Sequence, residues 1–372
     1  MTKSKSNISQ TAPDMDARAA ASDEIHARVR AFARRSLLED LSDELDDLAC
    51  DLARYQAIAN PAMARRLKAR GVSSVTLRAA ADIPAIPTDA FRLTRVASHD
   101  PKRDVRVFRT SGTTSGARGE HPLRTLATYR EVAWLWAQRM LAPWPRARVL
   151  ALMPSPAEVV DSSLGYMCEL FGEQLDPTYA TSWFVQKSQL DLDGLSRAVE
   201  RAHQENLPVL LLGASFAYVH LLDALGSRSL ALPESSRVML TGGFKGKSRE
   251  VSEVELRDGL SRLFALPPTS LIGEYGMTEL SSQAYEKPGA PRVYYAPPWM
   301  RVTAVDPVSL VPVKHGDVGI GRIIDLANVD SAVAIQTLDR VRMISDSSFE
   351  LLGRIDGAHA RGCSLLIEEL LG

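Results

Sequence analysis

The stretch Ser270-Leu-Ile-Gly-Glu-Tyr-Gly-Met-Thr-Glu-Leu-Ser-Ser-Gln283 decides how the rest of the chain is read. Ser270–Ile272 has the short apolar character of a buried strand, and a polar, glycine-punctuated loop follows at once. In an open α/β sheet, ligands collect beyond the carboxyl ends of the strands. A strand feeding directly into such a loop therefore predicts both a sheet and a site. Within the loop, Tyr275 suits stacking on a base. Thr278 suits a phosphate oxygen, and the Glu279 carboxylate suits a magnesium ion. Taken alone, the same residues also describe a polar loop with a structural tyrosine.

Working outward, similar short apolar runs occur at Val149–Met153, Val209–Leu212 and Val238–Thr241. Helical stretches separate them at Ala127–Leu141, Asp193–Gln204, Phe216–Leu225 and Glu250–Phe264. This alternation predicts an α/β sheet with crossover helices. Downstream, Arg301–Val305, Gly319–Ile324, Ala332–Gln336, Val341–Ile344 and Phe349–Leu352 read as consecutive strands of a mainly antiparallel section closing the domain. Upstream, Asp23–Ala59 reads as one helix broken at Asn60-Pro61, with Leu37, Leu38, Leu41, Leu45 and Leu48 on an apolar face, and a second helix covers Pro61–Arg70. Residues 1–22 are expected to form a mobile polar tail, residues 23–345 a large domain, and residues 346–372 a short C-terminal segment carrying Cys363.

Forty-four Lys and Arg against 45 Asp and Glu leave a formal charge of −1, which gives no hint of a nucleic-acid or membrane-surface partner. No apolar run approaches the length of a membrane span, and the N-terminus lacks the apolar core of a secretory signal. The three cysteines, Cys50, Cys168 and Cys363, lie far apart without metal-ligand spacing, which argues against a zinc site and for a reduced, cytoplasmic setting.

The segment Arg109-Thr-Ser-Gly-Thr-Thr-Ser-Gly-Ala-Arg-Gly119 is a second chemical signal. Its glycines permit tight turns and close approach of backbone N–H groups to an anion. Thr110, Ser111, Thr113 and Thr114 add hydroxyl donors around Gly112, and Arg118 adds a charge suited to phosphate. The spacing is not that of a P-loop, and neither is that of Gly242-Gly-Phe-Lys-Gly-Lys-Ser248, where the first glycine sits one residue too close to the lysine. An exposed polar turn is the plainer alternative for the loop. Near the C-terminus, Arg361-Gly-Cys-Ser364 sets a cysteine beside a glycine and a cation, which favours access and the thiolate, and His359 four residues earlier is placed to act as a base. A lone cysteine is more often a small buried apolar group. Cys50 reads as structural, and Cys168 is a weaker candidate.

In this order, the glycine- and threonine-rich loop, Tyr275-Gly-Met-Thr-Glu279, a late aspartate and Gly353-Arg-Ile-Asp356 resemble the acyl-adenylate-forming superfamily. Met153-Pro-Ser-Pro156, Asp161–Met167, Thr241–Gly246, Gly273–Glu286, Gly321–Asn328 and Gly353–Leu365 resemble one branch of it, the acyl-protein synthetases of bacterial bioluminescence, over roughly residues 85–372. The resemblance implies the fold of the large N-terminal domain of adenylate-forming enzymes, stacked α/β sheets with a β-barrel-like section. It implies that ATP and magnesium are used to join a carboxylic acid to AMP and then to a thiol. By position, Thr110–Gly119 would hold the phosphates, Gly242 and Gly243 border the adenine, and Tyr275 stack on it. Thr278 would bind the adenylate phosphate, Glu279 the metal, Asp339 the ribose with Arg354 beside it, and Cys363 the acyl group as a thioester. Acceptors compatible with it are an acyl carrier protein, a reductase or CoA.

Two departures stand out. The relatives' small C-terminal domain, with its adenylation lysine, has no counterpart after Asp356, and Arg118 stands where many of them carry a lysine. Arg118 or Lys245 is expected to offset that loss. The departures also keep open a transferase that takes an acyl group from acyl-CoA onto Cys363 without adenylation, and, in a different class, a non-catalytic nucleotide- or acyl-binding module. The acyl pocket is expected near Met153, Leu164, Tyr166, Gly213 and Phe216, lined for a fatty chain or an aromatic ring.

Overall fold

The structure, a computed structural model, describes residues 12–111, 117–242 and 251–355. Three helices lead the chain, α1 (Ala12–Ser36), α2 (Ser42–Ala59) and α3 (Pro61–Ala69). After strand β1 (Ile86–Pro87) and the short α4 (Ala90–Leu93), the hairpin β2 (Arg106–Arg109) and β3 (Glu120–Leu123) flanks the glycine-rich loop. There follow α5 (Ala127–Met140), β4 (Arg148–Leu152), α6 (Ser163–Leu175), β5 (Thr181–Trp183), the hairpin β6 (Val185–Gln186) and β7 (Gln189–Leu190), α7 (Leu192–Gln204), β8 (Val209–Ala214), α8 (Ser215–Leu225), β9 (Arg237–Thr241), α9 (Glu253–Phe264) and β10 (Leu271–Tyr275). The chain continues through β11 (Ala284–Glu286), β12 (Val293–Tyr295), β13 (Met300–Val305), β14 (Val318–Asp325), β15 (Ala334–Ser345) and β16 (Ser348–Arg354).

The α/β section expected from the alternating runs is present. Strands β5, β4, β8, β9 and β10 pair in parallel, and the later strands pair antiparallel. Both sections join in one twelve-stranded sheet of order β13-β14-β15-β16-β12-β11-β10-β9-β8-β4-β5, with β1 beside β15. The seam is β10, parallel to β9 on one side and antiparallel to β11 on the other. Alternating side chains feed two cores, as the pleat requires. Ile272 packs with α5, α6 and the leading helices, whereas Leu271 packs with α7, α8 and α9. Helix α9 starts where its sequence says it should. The Ser252 hydroxyl accepts from the Glu255 N–H, and the Glu255 carboxylate accepts from the Ser252 N–H, a capping box worth about 1 kcal/mol.

Three boundaries differ from the sequence reading. The single helix expected over Asp23–Ala59 is two, because Asp40 captures the N–H and hydroxyl of Ser42 and turns the chain between them. The leucine face is correspondingly cut, with Leu45 and Leu48 buried and Leu38 86% exposed. The polar tail does not extend to residue 22: α1 begins at Ala12, and Ser22 is buried with its hydroxyl donating to Asp330 at 2.7 Å. The boundary at 345 falls inside the β15–β16 hairpin, so residues 346–355 belong to the main sheet and not to a separate segment. The expected strands 332–336 and 341–344 are one bulged strand, β15.

The leading helices grip the loop between β14 and β15. Gln56 donates to the carbonyls of Asn328 (2.8 Å) and Val329 (3.0 Å) and accepts from the Val333 N–H (3.0 Å). Asn60 caps α3, accepting from the Ala62 N–H, and donates to the Ser331 carbonyl at 2.6 Å. His26 donates from Nε2 to Asp330 at 2.9 Å while its Nδ1 meets the Thr128 hydroxyl at 2.8 Å. Burial opposes the Asp330 charge, but the hydrogen bonds from His26 and Ser22 and the nearby Arg124 outweigh it and hold the carboxyl at about 2. Replacing Gln56 by Ala removes the bonds to the buried Val329 carbonyl and Val333 N–H and leaves the Asn328 carbonyl only the long bond from the Ser331 N–H at 3.4 Å. It should cost about 3 kcal/mol in urea unfolding, while Leu38→Ala changes stability by no more than about 0.5 kcal/mol. Equal effects of the two substitutions would contradict this arrangement.

Candidate active site

The site is built where β10 ends. Tyr275, its last residue, has its ring buried edge-on against Phe349 (centroids 5.3 Å apart) and tilted against Tyr294 (6.0 Å). Its hydroxyl donates to Asp339 Oδ2 at 2.9 Å. Asp339 stands opposite Arg354 in the β15–β16 ladder, with Arg354 Nε 3.9 Å from its Oδ1. Tyr275, Asp339 and Arg354, scattered over 80 positions from residue 275 to residue 354, are thus one group. Asp339 is aimed by its neighbours: its N–H donates to the Thr337 hydroxyl, which itself donates to the Gly321 carbonyl. A Cβ on Gly321 would lie 3.0 Å from that hydroxyl oxygen, which explains the glycine there.

Thr278 and Glu279 follow on the loop. His121 on β3 donates from Nδ1 to the Thr278 carbonyl at 2.7 Å, and burial pushes its pKa down to about 4, so the ring is neutral at pH 7. Asn328 donates to the Glu279 carbonyl at 2.9 Å. Just beyond, Asp325 accepts from the N–H groups of Ser281 and Ser282, each at 2.9 Å, and from the Ser282 hydroxyl at 2.7 Å. The loop is therefore pinned from three sides while the Glu279 carboxylate makes no ion pair among the described residues. Burial pushes the Glu279 carboxyl up to about 7. The position a Cβ would take on Gly119, at the far end of the glycine-rich loop, lies 3.6 Å from Glu279 Oε1. The phosphate loop and the acidic loop therefore meet at Glu279.

A nearly buried carboxylate without a cation, facing a loop of phosphate-binding type, fits a magnesium ion, which takes one or two carboxylates and completes its shell with water and phosphate oxygens. No group of three or more His, Cys, Asp or Glu side chains that could hold a metal occurs among the described residues.

The ends of the glycine-rich loop are tied together. The Thr110 N–H donates to the Gly119 carbonyl at 3.0 Å, and the Gly119 N–H donates to the Thr110 hydroxyl at 2.9 Å. Arg118, read from the sequence as a free phosphate-binding cation, forks onto Asp161 at 2.8 and 3.2 Å and donates to the Thr110 carbonyl at 2.6 Å. Its charge is matched by that of Asp161, which corrects the expectation and explains the acidic residue in the Asp161–Met167 motif. Gly242 adopts φ 66° at the end of β9 and its carbonyl accepts from the Ser215 hydroxyl at 2.9 Å. Gly112, Thr113, Thr114, Gly243, Lys245, His359 and Cys363 lie outside the described residues. Cys168 is fully buried in α6, and burial pushes its thiol far up, as it also raises that of Cys50, so neither is a ready nucleophile.

The expected pocket residues divide. Tyr166 is buried against Phe108 and Tyr129, and Met153 and Leu164 pack on the same core. Phe216 packs on the opposite core with α8, away from them, because β8 hands the chain to the other face of the sheet. Gly213 lies between, where a Cβ would come within 3.0 Å of the Tyr218 ring.

A family described as "Acyl-protein synthetase, LuxE" matches residues 69–372. The chain belongs to this family. Among curated members of similar sequence, the long-chain-fatty-acid–luciferin-component ligase of Vibrio harveyi is 21% identical over 303 residues, covering 77% of this chain and 78% of that protein. The protein of the same name from Aliivibrio fischeri is 20% identical over 305 residues, covering 78% and 79%. Among solved structures, an open conformation of 2-hydroxyisobutyryl-CoA ligase in complex with its acyl-AMP and CoA superposes with a TM-score of 0.61 at 12% identity, over 84% of this chain and 75% of that one. The same ligase in its thioesterification state gives 0.60 at 13% identity, over 95% and 74%. The adenylate-forming fold is thus established, and with the family it makes the protein a ligase-type enzyme that activates an acyl group. No helix among the described residues is long and apolar enough to cross a membrane.

Sequence reasoning missed Glu274, one residue before Tyr275. It is buried, its one hydrogen-bonding partner among the described residues being the Thr241 hydroxyl, and burial pushes its carboxyl up to about 7. An acidic residue at the inner end of a strand was the available signal. A carboxyl raised from its ordinary value near 4.5 to about 7 stabilises the fold most at low pH, and that contribution is lost as pH rises from about 4.5 to about 7. For one such group the change is on the order of 3 kcal/mol. Glu274→Gln should therefore raise the thermal midpoint more at pH 8 than at pH 5. An equal rise at both would show that Glu274 is not held neutral by burial.

Proposed function

We propose that the protein condenses a carboxylic acid with ATP to give acyl-AMP and pyrophosphate, then moves the acyl group through a thioester on Cys363 to a protein or thiol acceptor. The observation that carries this reading is the Glu279 carboxylate, buried, without an ion pair, and set between the acidic loop and the glycine-rich loop. Magnesium held there with phosphate oxygens would supply charge neutralisation at the α-phosphate. Tyr275 and Asp339, already joined by a hydrogen bond, would take the adenine face and the ribose hydroxyls, with Arg354 alongside. The Thr278 hydroxyl would donate to the adenylate phosphate, on a backbone fixed by His121. Thr110, Ser111, Gly112, Thr113 and Thr114 would receive the departing phosphates, and Gly242 and Gly243 would border the adenine.

The chemistry balances in two steps. A carboxylate oxygen attacks the α-phosphorus and pyrophosphate leaves. The Cys363 thiolate then attacks the acyl carbonyl and AMP leaves, with His359 placed in sequence to take the thiol proton. A thiolate on the same chain makes the second step intramolecular, which raises its effective concentration. The named relatives in Vibrio harveyi and Aliivibrio fischeri act on long-chain fatty acids, and the solved ligase was captured with an acyl-AMP and CoA. The acceptor here would be an acyl carrier protein, a reductase or CoA.

One observation favours a second reading. With Arg118 committed to Asp161, the described part of the phosphate loop lacks the free cation that adenylation would use. A transferase taking its acyl group from acyl-CoA onto Cys363 needs no such charge. Intact-protein mass spectrometry of wild type and Cys363→Ser separates the two. An acyl mass gain with acid, ATP and magnesium, lost in the variant, is the expected result. A gain only from acyl-CoA, also lost in the variant, would replace the first reading with the second. A gain that survives in the variant would exclude Cys363 as the carrier.

A further inference from the structure

The strand that delivers Tyr275 toward Asp339 also delivers Glu274 to a different environment. Glu274 pairs in register with Thr241 on β9 and Tyr285 on β11, and residues opposite one another share a face of the sheet. On that face lie Tyr285, Met167 of α6 and Tyr129 of α5, the same core on which Met153, Leu164 and Tyr166 pack. The Glu274 charge is felt by the Cys168 thiol and the Tyr129 and Tyr285 hydroxyls, so its carboxyl lies among α5, α6 and β11.

Two other buried carboxylates of the fold are matched by several donors each. Glu286 takes a single Arg257 nitrogen, Nη2, on its two oxygens at 2.8 and 2.7 Å together with the Gly273 N–H, and Asp325 takes N–H and hydroxyl donors from Ser281, Ser282 and Ala327. Among the described residues Glu274 has the Thr241 hydroxyl alone. Close by is a second acceptor in the same condition: Gln283 is 6% exposed, and its Oε1 is buried with no hydrogen-bond partner. The two converge on Gly276. A Cβ there would lie 2.2 Å from Glu274 Oε1 and 3.4 Å from Gln283 Cγ. Gly276 is itself exposed, so the two acceptors sit just beneath the surface at the mouth of the site, beside Tyr275 and two residues before Thr278.

We infer that Glu274 and Gln283 are specificity residues for an acid whose acyl part carries a hydrogen-bond donor, an amino or hydroxyl substituent. The inference rests on the reading of this site as an acid-activating centre and names the class of acid it takes. A plain hydrocarbon acyl group entering beside Gly276 would leave Gln283 Oε1 unpaired and Glu274 with the Thr241 hydroxyl as its described partner, and a site built to hydrogen-bond a substituent rejects the analogue lacking it. A donor on the substrate supplies what the protein withholds. Either protonation state of Glu274 accommodates this, since an ammonium would meet the carboxylate and a hydroxyl can donate to a carboxyl carbonyl. This chain would thereby differ in substrate class from relatives named for long-chain fatty acids.

The test is calorimetric binding, with AMP present, of matched acids: benzoate against 2-aminobenzoate and 3-hydroxybenzoate, butanoate against 3-hydroxybutanoate. Wild type should bind at least one donor-bearing acid tenfold or more tighter than its parent. Glu274→Leu should erase that preference, and the isosteric Glu274→Gln, a check against misfolding, should weaken it while keeping a cooperative thermal transition. Equal binding of parent and substituted acids, a preference unchanged in Glu274→Leu, or no binding by any acid of the set would overturn the inference. Adding ATP, magnesium and hydroxylamine to the preferred acid then tests the adenylation reading separately. Selective binding without hydroxamate would leave the specificity role standing and remove adenylation.

Discussion

The Asp325 carboxylate is the point on which the site depends. It is fully buried, and burial alone would push its pKa up; it is tolerated because Ser281, Ser282 and Ala327 aim three backbone N–H groups and a hydroxyl at it. Those bonds join the loop after β10 to the end of β14, so the parallel and antiparallel halves of the sheet are locked at the place where the chemistry is set. Trp299 donates to the Ser282 hydroxyl at 3.1 Å, and Asn328, held by Gln56, donates to the Glu279 carbonyl. The leading helices therefore reach the active loop through a chain of buried amides. Their packing is part of the site's rigidity.

Polar burial in this protein comes in two kinds. Asp325, Asp330 and Glu286 are satisfied by several donors each and serve as fasteners. Glu274 and Glu279 are buried with almost nothing, and both carboxyls are raised to about 7 in consequence. Groups of the second kind destabilise the fold, and perturbed carboxyls of this sort gather at functional sites. Here they flank Tyr275 and Thr278, one on each side; the proposed reading assigns metal and phosphate to the Glu279 side and the acyl group to the Glu274 side.

Much of this was legible in the sequence for definite reasons. Short apolar runs of β-type, cut by amphipathic helices, suit a parallel sheet, so β4, β8 and β9 were readable to within a residue or two and β10 to within three. Loop composition marked Thr278 and Glu279, and motif order marked Tyr275, Asp339 and Arg354, which the fold brings together. What was not legible depended on partners distant in sequence. Nothing near Arg118 says that Asp161 will take its charge, nothing near Gln56 says that its amide will hold residues 328–333, and the break after Ser36 turns on one side-chain bond at Asp40. Glu274 hid in plain view, because its interest lies in its burial with no cation among the described residues and not in a motif.

The most direct test of the account is acid-dependent exchange of radiolabelled pyrophosphate into ATP by the wild-type protein and by Glu279→Gln. The account predicts exchange in the wild type that requires both acid and magnesium, and a loss of at least a hundredfold in the variant with its thermal midpoint maintained or raised. Exchange undiminished in Glu279→Gln would contradict the placement of the adenylating centre between the two loops, and a folded wild-type protein showing no exchange with any acid that it binds would contradict adenylation altogether.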